Sequence, residues 1–313
     1  MATGRFAPSP SGRLHLGNLG CSLLAWLSAR AERGRVILRI EDLDAERCPR
    51  RYADLLEEDL LWLGLDWDEG GSRGGPRGPY YQSERSEIYR RYFDWLAEQG
   101  MLYPCFCSRS QLHAASAPHR SDGQVIYPGT CRNLSPEEIR EKSKKKPPAW
   151  RVRVPDAELS FVDGHLGPYK ENLAADCGDF YLRRGDGVYA YQLAVVVDDA
   201  LMGVDQVVRG SDLLSSTPRQ IWLYQTLGLP VPRFFHLPLL LDSAGERLSK
   251  RNGSQSLEEL AGRYTPEEIL GRLACLYGLQ PEPKPRTAAS LVADFAWDKV
   301  PRQDIRIPQG WLE

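Results

Sequence analysis

Hydrophobic and polar positions along the first third of the chain fall into blocks of two different periods. "GRFAPS" (Gly4 to Ser9) is a short β-prone run that ends at Pro8. "NLGCSLLAWLSARAERG" follows, with Leu19, Leu23, Leu24, Trp26 and Leu27 on one broad apolar face. That spacing predicts a helix, with Gly34 as its stop. "RVILRIEDLD" is then a buried strand that turns polar at its end. Strand, turn, helix and strand make a βαβ unit, which predicts an α/β fold with a parallel sheet. "RRYADLLEEDLLWLGLDWD" and "SERSEIYRRYFDWLAEQG" read as two amphipathic helices joined by the Gly-rich loop "EGGSRGGPRGPYYQ".

The middle of the chain loses this rhythm. Residues 103–168 hold a cysteine pair, a stretch without clear period and the run "KSKKK", and read as an insertion in the α/β core. Inside it, "SPEEIR" is a helix start: Ser135 caps, Pro136 takes the first position and Glu138 reaches back. The core, 1–102 and 169–235, resumes with "LAVVVDD", read as a fully buried strand ending in acids, and "QVVRG", a second strand. "TPRQIWLYQTLGL" is a helix with Pro218 at its start. Residues 236–313 read as a smaller, mainly helical unit with a Pro-rich tail.

The composition is that of a globular protein: of 313 residues, 42% are hydrophobic and 26% charged. Lys and Arg number 40 against 42 Asp and Glu, so bulk charge alone would not hold a nucleic acid, although a locally basic groove stays open. No apolar run reaches membrane-spanning length, and the first twenty residues lack a signal-peptide core. With seven scattered cysteines and no disulfide framework in their spacing, the expected location is cytoplasmic. The Lys142 to Lys146 run reads first as a solvated linker.

The turn-prone stretch "RFAPSPSGRLHLGN" places His15 at the mouth of the first helix, where unpaired N–H groups and the dipole attract phosphate. Gly17 allows close approach of a ligand to backbone, and Arg5 at the strand end offers a bidentate fork to a carboxylate. Taken alone these residues also describe a well-made turn. Likewise Glu41 could be a solvated strand end, Arg209 a partner of Asp212, and Tyr191 part of the core.

"PSPSGRLHLGN" resembles the HIGH signature of class I aminoacyl-tRNA synthetases, and with "LRIEDLDAER" it resembles the glutamyl branch. "RLSKR" (Arg247 to Arg251) is similar to the KMSKS loop; "VVVDD" and "VVRGSDLLSSTPRQ" match the same branch. The resemblance covers Gly4 to about Asn252. It implies a Rossmann-like core that uses ATP, Mg²⁺ and L-glutamate. His15, Gly17, Asn18 and Lys250 would line the ATP site, His15 and Lys250 in the catalytic role. Arg5, Phe6, Ala7, Pro8, Ser9, Glu41, Tyr191 and Arg209 would form the glutamate pocket, with Glu41 on the ammonium. About sixty residues follow "RLSKR", too few for the anticodon-binding region of the full-length enzymes. The chain therefore resembles the short paralogue family, the glutamyl-queuosine tRNA(Asp) synthetases, as does "DFYLRRGDGVYAYQLAVVVDD". That implies transfer of glutamate to the queuosine base of tRNA(Asp) by a monomer. A truncated glutamyl enzyme charging tRNA(Glu), or a non-catalytic RNA- or partner-binding paralogue, are the alternatives.

Cys105, Cys107 and Cys131 offer three thiolates to a metal such as zinc, which prefers four ligands. The residue chemistry leaves His113 and His119 as candidates for the fourth position. The short family's "YPGTC" pattern implies Tyr127 instead, giving one zinc on Cys105, Cys107, Tyr127 and Cys131.

Overall fold

A computed structural model of the chain describes residues 1–108, 126–242, 244–246, 248, 256–308 and 311. In chain order the strands are β1 (Thr3–Phe6), β2 (Arg35–Leu38), β3 (Glu69–Gly70), β4 (Leu102–Cys105), β5 (Ala149–Val152), β6 (Glu158–Asp163), β7 (Gly167–Asn172), β8 (Phe180–Arg183), β9 (Gln206–Gly210), β10 (Arg233–Leu237), β11 (Leu240–Leu241) and β12 (Ile305–Arg306). The helices are α1 (Leu16–Ala31), α2 (Arg50–Trp62), α3 (Ser86–Glu98), α4 (Pro136–Ser143), α5 (Tyr191–Leu201), α6 (Thr217–Thr226), α7 (Leu257–Ala261), α8 (Pro266–Leu276) and α9 (Ala288–Leu291).

The predicted βαβ unit is present. β1, β2 and β3 pair in parallel, and β9 pairs in parallel with β10. The two ladders adjoin: Asp205 donates its N–H to the Thr3 carbonyl (3.1 Å) while its carboxylate accepts the Thr3 N–H (2.9 Å). The ladders β3-β2-β1 and β9-β10 thus lie side by side, with β9 next to β1, and the chain crosses over between β1 and β9. In such a sheet ligands sit beyond the carboxyl ends of the strands where the order reverses.

"LAVVVDD" is not a strand. It lies in α5, where every residue from Leu193 to Asp199 is buried. A short apolar run buried all round has no polar face, so its period cannot separate helix from strand. Burying the run as a helix turns both acids, Asp198 and Asp199, inward to meet arginines.

Residues 103–168 are richer in strands than their pattern suggests. β4, β5 and β8 form an antiparallel sheet, and β6 and β7 form a hairpin with Val162 opposite Pro168. The expected boundary at 168 falls inside that hairpin. α4 has the foreseen cap: the Ser135 side chain accepts the Glu138 N–H at 3.2 Å and Glu138 accepts the Ser135 N–H at 2.8 Å. Among the described residues, the C-terminal helices share a core with α1. Leu257, Leu270, Leu273, Tyr277 and Leu291 join Leu19, Leu23 and Leu27 of α1 in one cluster, and the Trp297 indole N–H reaches Ser28 Oγ at 3.1 Å. This packing fixes α1, whose N-terminus opens the site.

Candidate active site

A cleft of about 520 Å³ lies where β1 and β9 end and α1 begins. Arg5 to Ser9, Glu41, Tyr191, Arg209, His15, Gly17 and Asn18 all line it. Every described residue expected to bind glutamate or ATP is therefore brought together. Lys250 lies outside the described residues.

His15 is the N-cap of α1, with extended backbone (φ −113°, ψ 167°), and the first turn holds no acidic side chain. The positive end of the helix is left facing the cleft. A Cβ at position 17 would stand in ordinary contact with His15 Cε1, 3.4 Å away, so Gly17 lies directly against the imidazole. The preceding turn is pinned from behind by Arg13, whose guanidinium meets Asp59 at 2.5 Å. The Leu14 carbonyl accepts the Leu257 N–H at 2.7 Å, and His15 and Ser256 form an isolated antiparallel bridge. The chain thus re-enters beside the first signature directly after the segment that carries Lys250.

The floor of the cleft is a network of buried charge. Arg5 donates to the Val208 carbonyl (3.0 Å) and its Nε stands 3.4 Å from Asp199 Oδ1. Arg39, wholly buried, meets Asp199 at 2.5 Å and Glu41 at 3.0 Å. Asp198 takes Arg85, Gln82 and Tyr89 at 2.6, 2.8 and 2.9 Å. Burial pushes the Glu41 carboxyl above its ordinary range, against the pull of Arg39 and Arg5. Asp199 goes the other way: burial would raise it, but Arg39 and Arg5 together hold it below the ordinary range. An incoming cation beside Glu41 would favour its ionised form. Burial keeps the Tyr191 phenol protonated and able to donate.

Arg209 donates Nε–H to His236 Nε2 (3.0 Å) and Nη2–H to Thr217 Oγ1 (2.8 Å). Its Nη1 is buried and has no hydrogen-bond partner. His236 in turn stands 2.6 Å from Asp163. Arg39, Asp163, Asp199, Thr217 and His236 were not foreseen. The paired acids of "VVVDD" were the available signal for Asp199; His236 falls where the pattern reads as the start of a mainly helical unit, although it lies in β10.

Cys105, Cys107 and Cys131 present their sulfurs within 4.8 Å of one another. Cys107 and Cys131 Sγ are 3.6 Å apart, and the Tyr127 hydroxyl lies 3.6 Å from Cys105 Sγ and 3.9 Å from Cys107 Sγ. Tetrahedral ligands about 2.3 Å from zinc stand roughly 3.8 Å from each other, so three thiols and the phenol fit a zinc site. Burial acts to raise the Cys105 thiol, but Tyr127, a backbone N–H and Arg151 outweigh it and bring it below its ordinary value. Burial and Cys105 push Cys107 up to about 11. None of the four lines the cleft. His113 and His119 lie outside the described residues.

A family model described as tRNA synthetases class I (E and Q), catalytic domain, matches residues 1–291. A protein of Symbiobacterium thermophilum named glutamyl-Q tRNA(Asp) synthetase is 54% identical over 98% of this chain and 96% of its own length. One of the same name from Nitratidesulfovibrio vulgaris is 49% identical over 100% and 98%. Glutamate–tRNA ligase 1 of Halorhodospira halophila is 48% identical, but only 57% of its length is covered. Among solved structures, a glutamate-tRNA synthetase from Elizabethkingia anophelis superposes with a TM-score of 0.84 at 30% identity, covering 99% of this chain and 69% of that one. A glutamate tRNA ligase from Elizabethkingia meningosepticum, in complex with its amino acid, gives 0.83 at 29% identity, covering 99% and 68%.

Proposed function

Because the chain belongs to the class I tRNA synthetases of the glutamate and glutamine type, we propose that it activates L-glutamate with ATP and passes the glutamyl group to the queuosine base of tRNA(Asp). In the first step an oxygen of the α-carboxylate attacks the α-phosphate of ATP. The bond to the β-phosphate breaks, and pyrophosphate leaves with Mg²⁺. In the second, a hydroxyl on the cyclopentene ring of queuosine attacks the glutamyl carbonyl, and AMP leaves. The relatives named for this reaction match along almost their whole length, while the Halorhodospira ligase matches over little more than half.

One observation carries the amino-acid assignment. Arg5, Arg209 and Glu41 line the cleft together, with Arg39 and Asp199 paired behind them and Asp212 also on the lining. Glutamate brings two carboxylates and one ammonium, which two guanidinium groups and one carboxylate complement. Arg5 and Arg209 take the carboxylates, Glu41 takes the ammonium, and Tyr191 donates a further hydrogen bond. No side chain acts as a nucleophile; positioning and electrostatics carry the first step. His15 and the N-terminus of α1, with Lys250 from the "RLSKR" signature, stabilise charge on the phosphates. Cys105, Cys107, Tyr127 and Cys131 hold one zinc, away from the cleft, where it ties the insertion together and takes no part in the chemistry. The protein works as a monomer in the cytoplasm.

The test is pyrophosphate exchange, then charging of tRNA(Asp) with and without queuosine. Glutamate-dependent exchange and queuosine-dependent charging support the reading. Exchange driven by aspartate or glutamine overturns the pocket assignment, and charging of tRNA(Glu) overturns the acceptor. Lys250→Ala should lower exchange while leaving the KM for glutamate near its original value.

A further inference from the structure

Arg209 is held by a chain of buried groups that begins in the β6–β7 hairpin. Asp163 closes β6, and its Oδ1 accepts three backbone N–H groups: His165 at 3.0 Å, Leu166 at 2.8 Å and His236 at 3.2 Å. Its Oδ2 meets His236 Nδ1 at 2.6 Å. His236 Nε2 in turn faces Arg209 Nε at 3.0 Å. A guanidinium N–H can only donate, so Nε2 must accept, and the ring proton must sit on Nδ1 and point at Asp163. Thr217 Oγ1 accepts from Arg209 Nη2 at 2.8 Å. Asp163, Arg209, Thr217 and His236 are all buried. Two of the guanidinium nitrogens are thus fixed, and Nη1 is left with no hydrogen-bond partner beside the cleft.

We infer that Asp163 and His236 position Arg209: the carboxylate locks the imidazole in its Nδ1–H form, and the bare Nε2 turns the guanidinium so that Nη1 is presented to a substrate carboxylate. The inference rests on the reading of the cleft as a glutamate pocket. It makes Asp163 and His236 positioning residues for substrate binding, although neither lines the cleft.

The test exploits a change that keeps the shape and inverts the proton. In Asp163→Asn the amide oxygen stays with the three backbone donors, so the NH2 group faces His236 Nδ1. That nitrogen must then accept, the ring proton moves to Nε2, and Nε2 can no longer accept from the Arg209 Nε–H, while its own proton finds Thr217 Oγ1 3.2 Å away. Two-bond ¹⁵N–¹H spectra of ¹⁵N-histidine-labelled protein report the tautomer, with His236→Gln identifying the resonance. Wild type should show the proton on Nδ1 and Asp163→Asn should show it on Nε2. In pyrophosphate exchange the variant's KM for glutamate should rise about tenfold or more, with the KM for ATP and kcat within about twofold, a split that general loosening of the fold would not give. Arg209→Gln is measured alongside. If it raises the KM for glutamate and Asp163→Asn, with its tautomer inverted, does not, the inference falls and the pocket reading stands. If Arg209→Gln leaves that KM unchanged, the pocket reading falls and the inference with it. Should Asp163→Asn fail to fold, the wild-type spectrum still decides, because a proton on Nε2 overturns the lock.

Discussion

Arg39 and Asp199 lie 2.5 Å apart, Nη1 to Oδ1, with both side chains shut away from solvent. Asp199 is shared, since Arg5 Nε stands 3.4 Å from the same oxygen. Asp199→Asn keeps the volume but removes the charge that two buried guanidinium groups need. Breaking a buried pair from one side costs about 3–5 kcal/mol, because the remaining charge is left without a partner. Urea unfolding followed by circular dichroism should show a loss of that order, and glutamate-dependent exchange should vanish in whatever folded protein remains. A stability within about 1 kcal/mol of wild type would mean that the two arginines find other partners.

The cysteine cluster packs with Tyr103 and Phe106 in a small core of its own. Cys131→Ser removes one ligand and should abolish stoichiometric zinc binding, read by metal analysis of the purified protein. Thermal stability should drop, because a structural site couples metal binding to folding. Exchange at low temperature should survive, since no ligand borders the cleft. Tyr127→Phe should keep the fold but release zinc to a chelator faster than wild type. Equal release rates would remove the phenol from the ligand set.

Gly20 lies in the middle of α1, where alanine ordinarily gains about 1 kcal/mol of helix propensity. Here the sign reverses. A Cβ at this position would stand 2.4 Å from the Tyr277 hydroxyl and 2.7 Å from its Cε2, and the ring is fully buried and cannot swing away. Overpacking of this kind typically costs about 1–3 kcal/mol. Gly20→Ala should therefore be destabilising, and Gly20→Ala combined with Tyr277→Phe should recover part of the loss. A more stable Gly20→Ala would show that α1 and α8 can separate freely.

How far the sequence reached follows from which interactions are local. The turn from Arg5 to Asn18 announces itself because proline, glycine and a helix start must sit side by side to make it. The cap at Ser135 and Glu138 is legible for the same reason. α5 was misread because a helix buried all round has no amphipathic period. The hairpin of β6 and β7 was missed because its strand faces alternate weakly, with Val162 largely exposed. Asp163 and His236 stand far apart along the chain, and nothing in either neighbourhood announces the other. Arg39 follows β2 in a stretch that simply turns polar; only the fold brings α5 down to meet it.

The same buried chain should give a pH dependence with a defined direction. Burial, aided by Arg209, keeps His236 below its ordinary 6.5 although Asp163 pulls the other way, and Asp212 contributes weakly. Burial would raise Asp163, but the His236 ring N–H and the Leu166 and His165 N–H groups hold it below its ordinary 3.8. The imidazole is therefore neutral and the carboxylate ionised in the folded protein at neutral pH. A histidine that binds its proton less readily folded than unfolded adds stability that is complete above 6.5 and disappears as pH falls through the lower folded value. His236→Gln abolishes that contribution. The stability gap between wild type and His236→Gln, measured by urea unfolding, should thus narrow between about pH 8 and about pH 5. Asp163, lowered from its ordinary 3.8, supplies a second loss that begins only in the more acidic carboxylate range. A gap that stays constant across the upper window would mean that His236 binds its proton equally well folded and unfolded. A gap that widens as pH falls would mean that His236 is protonated in the fold and cannot accept the hydrogen bond from Arg209.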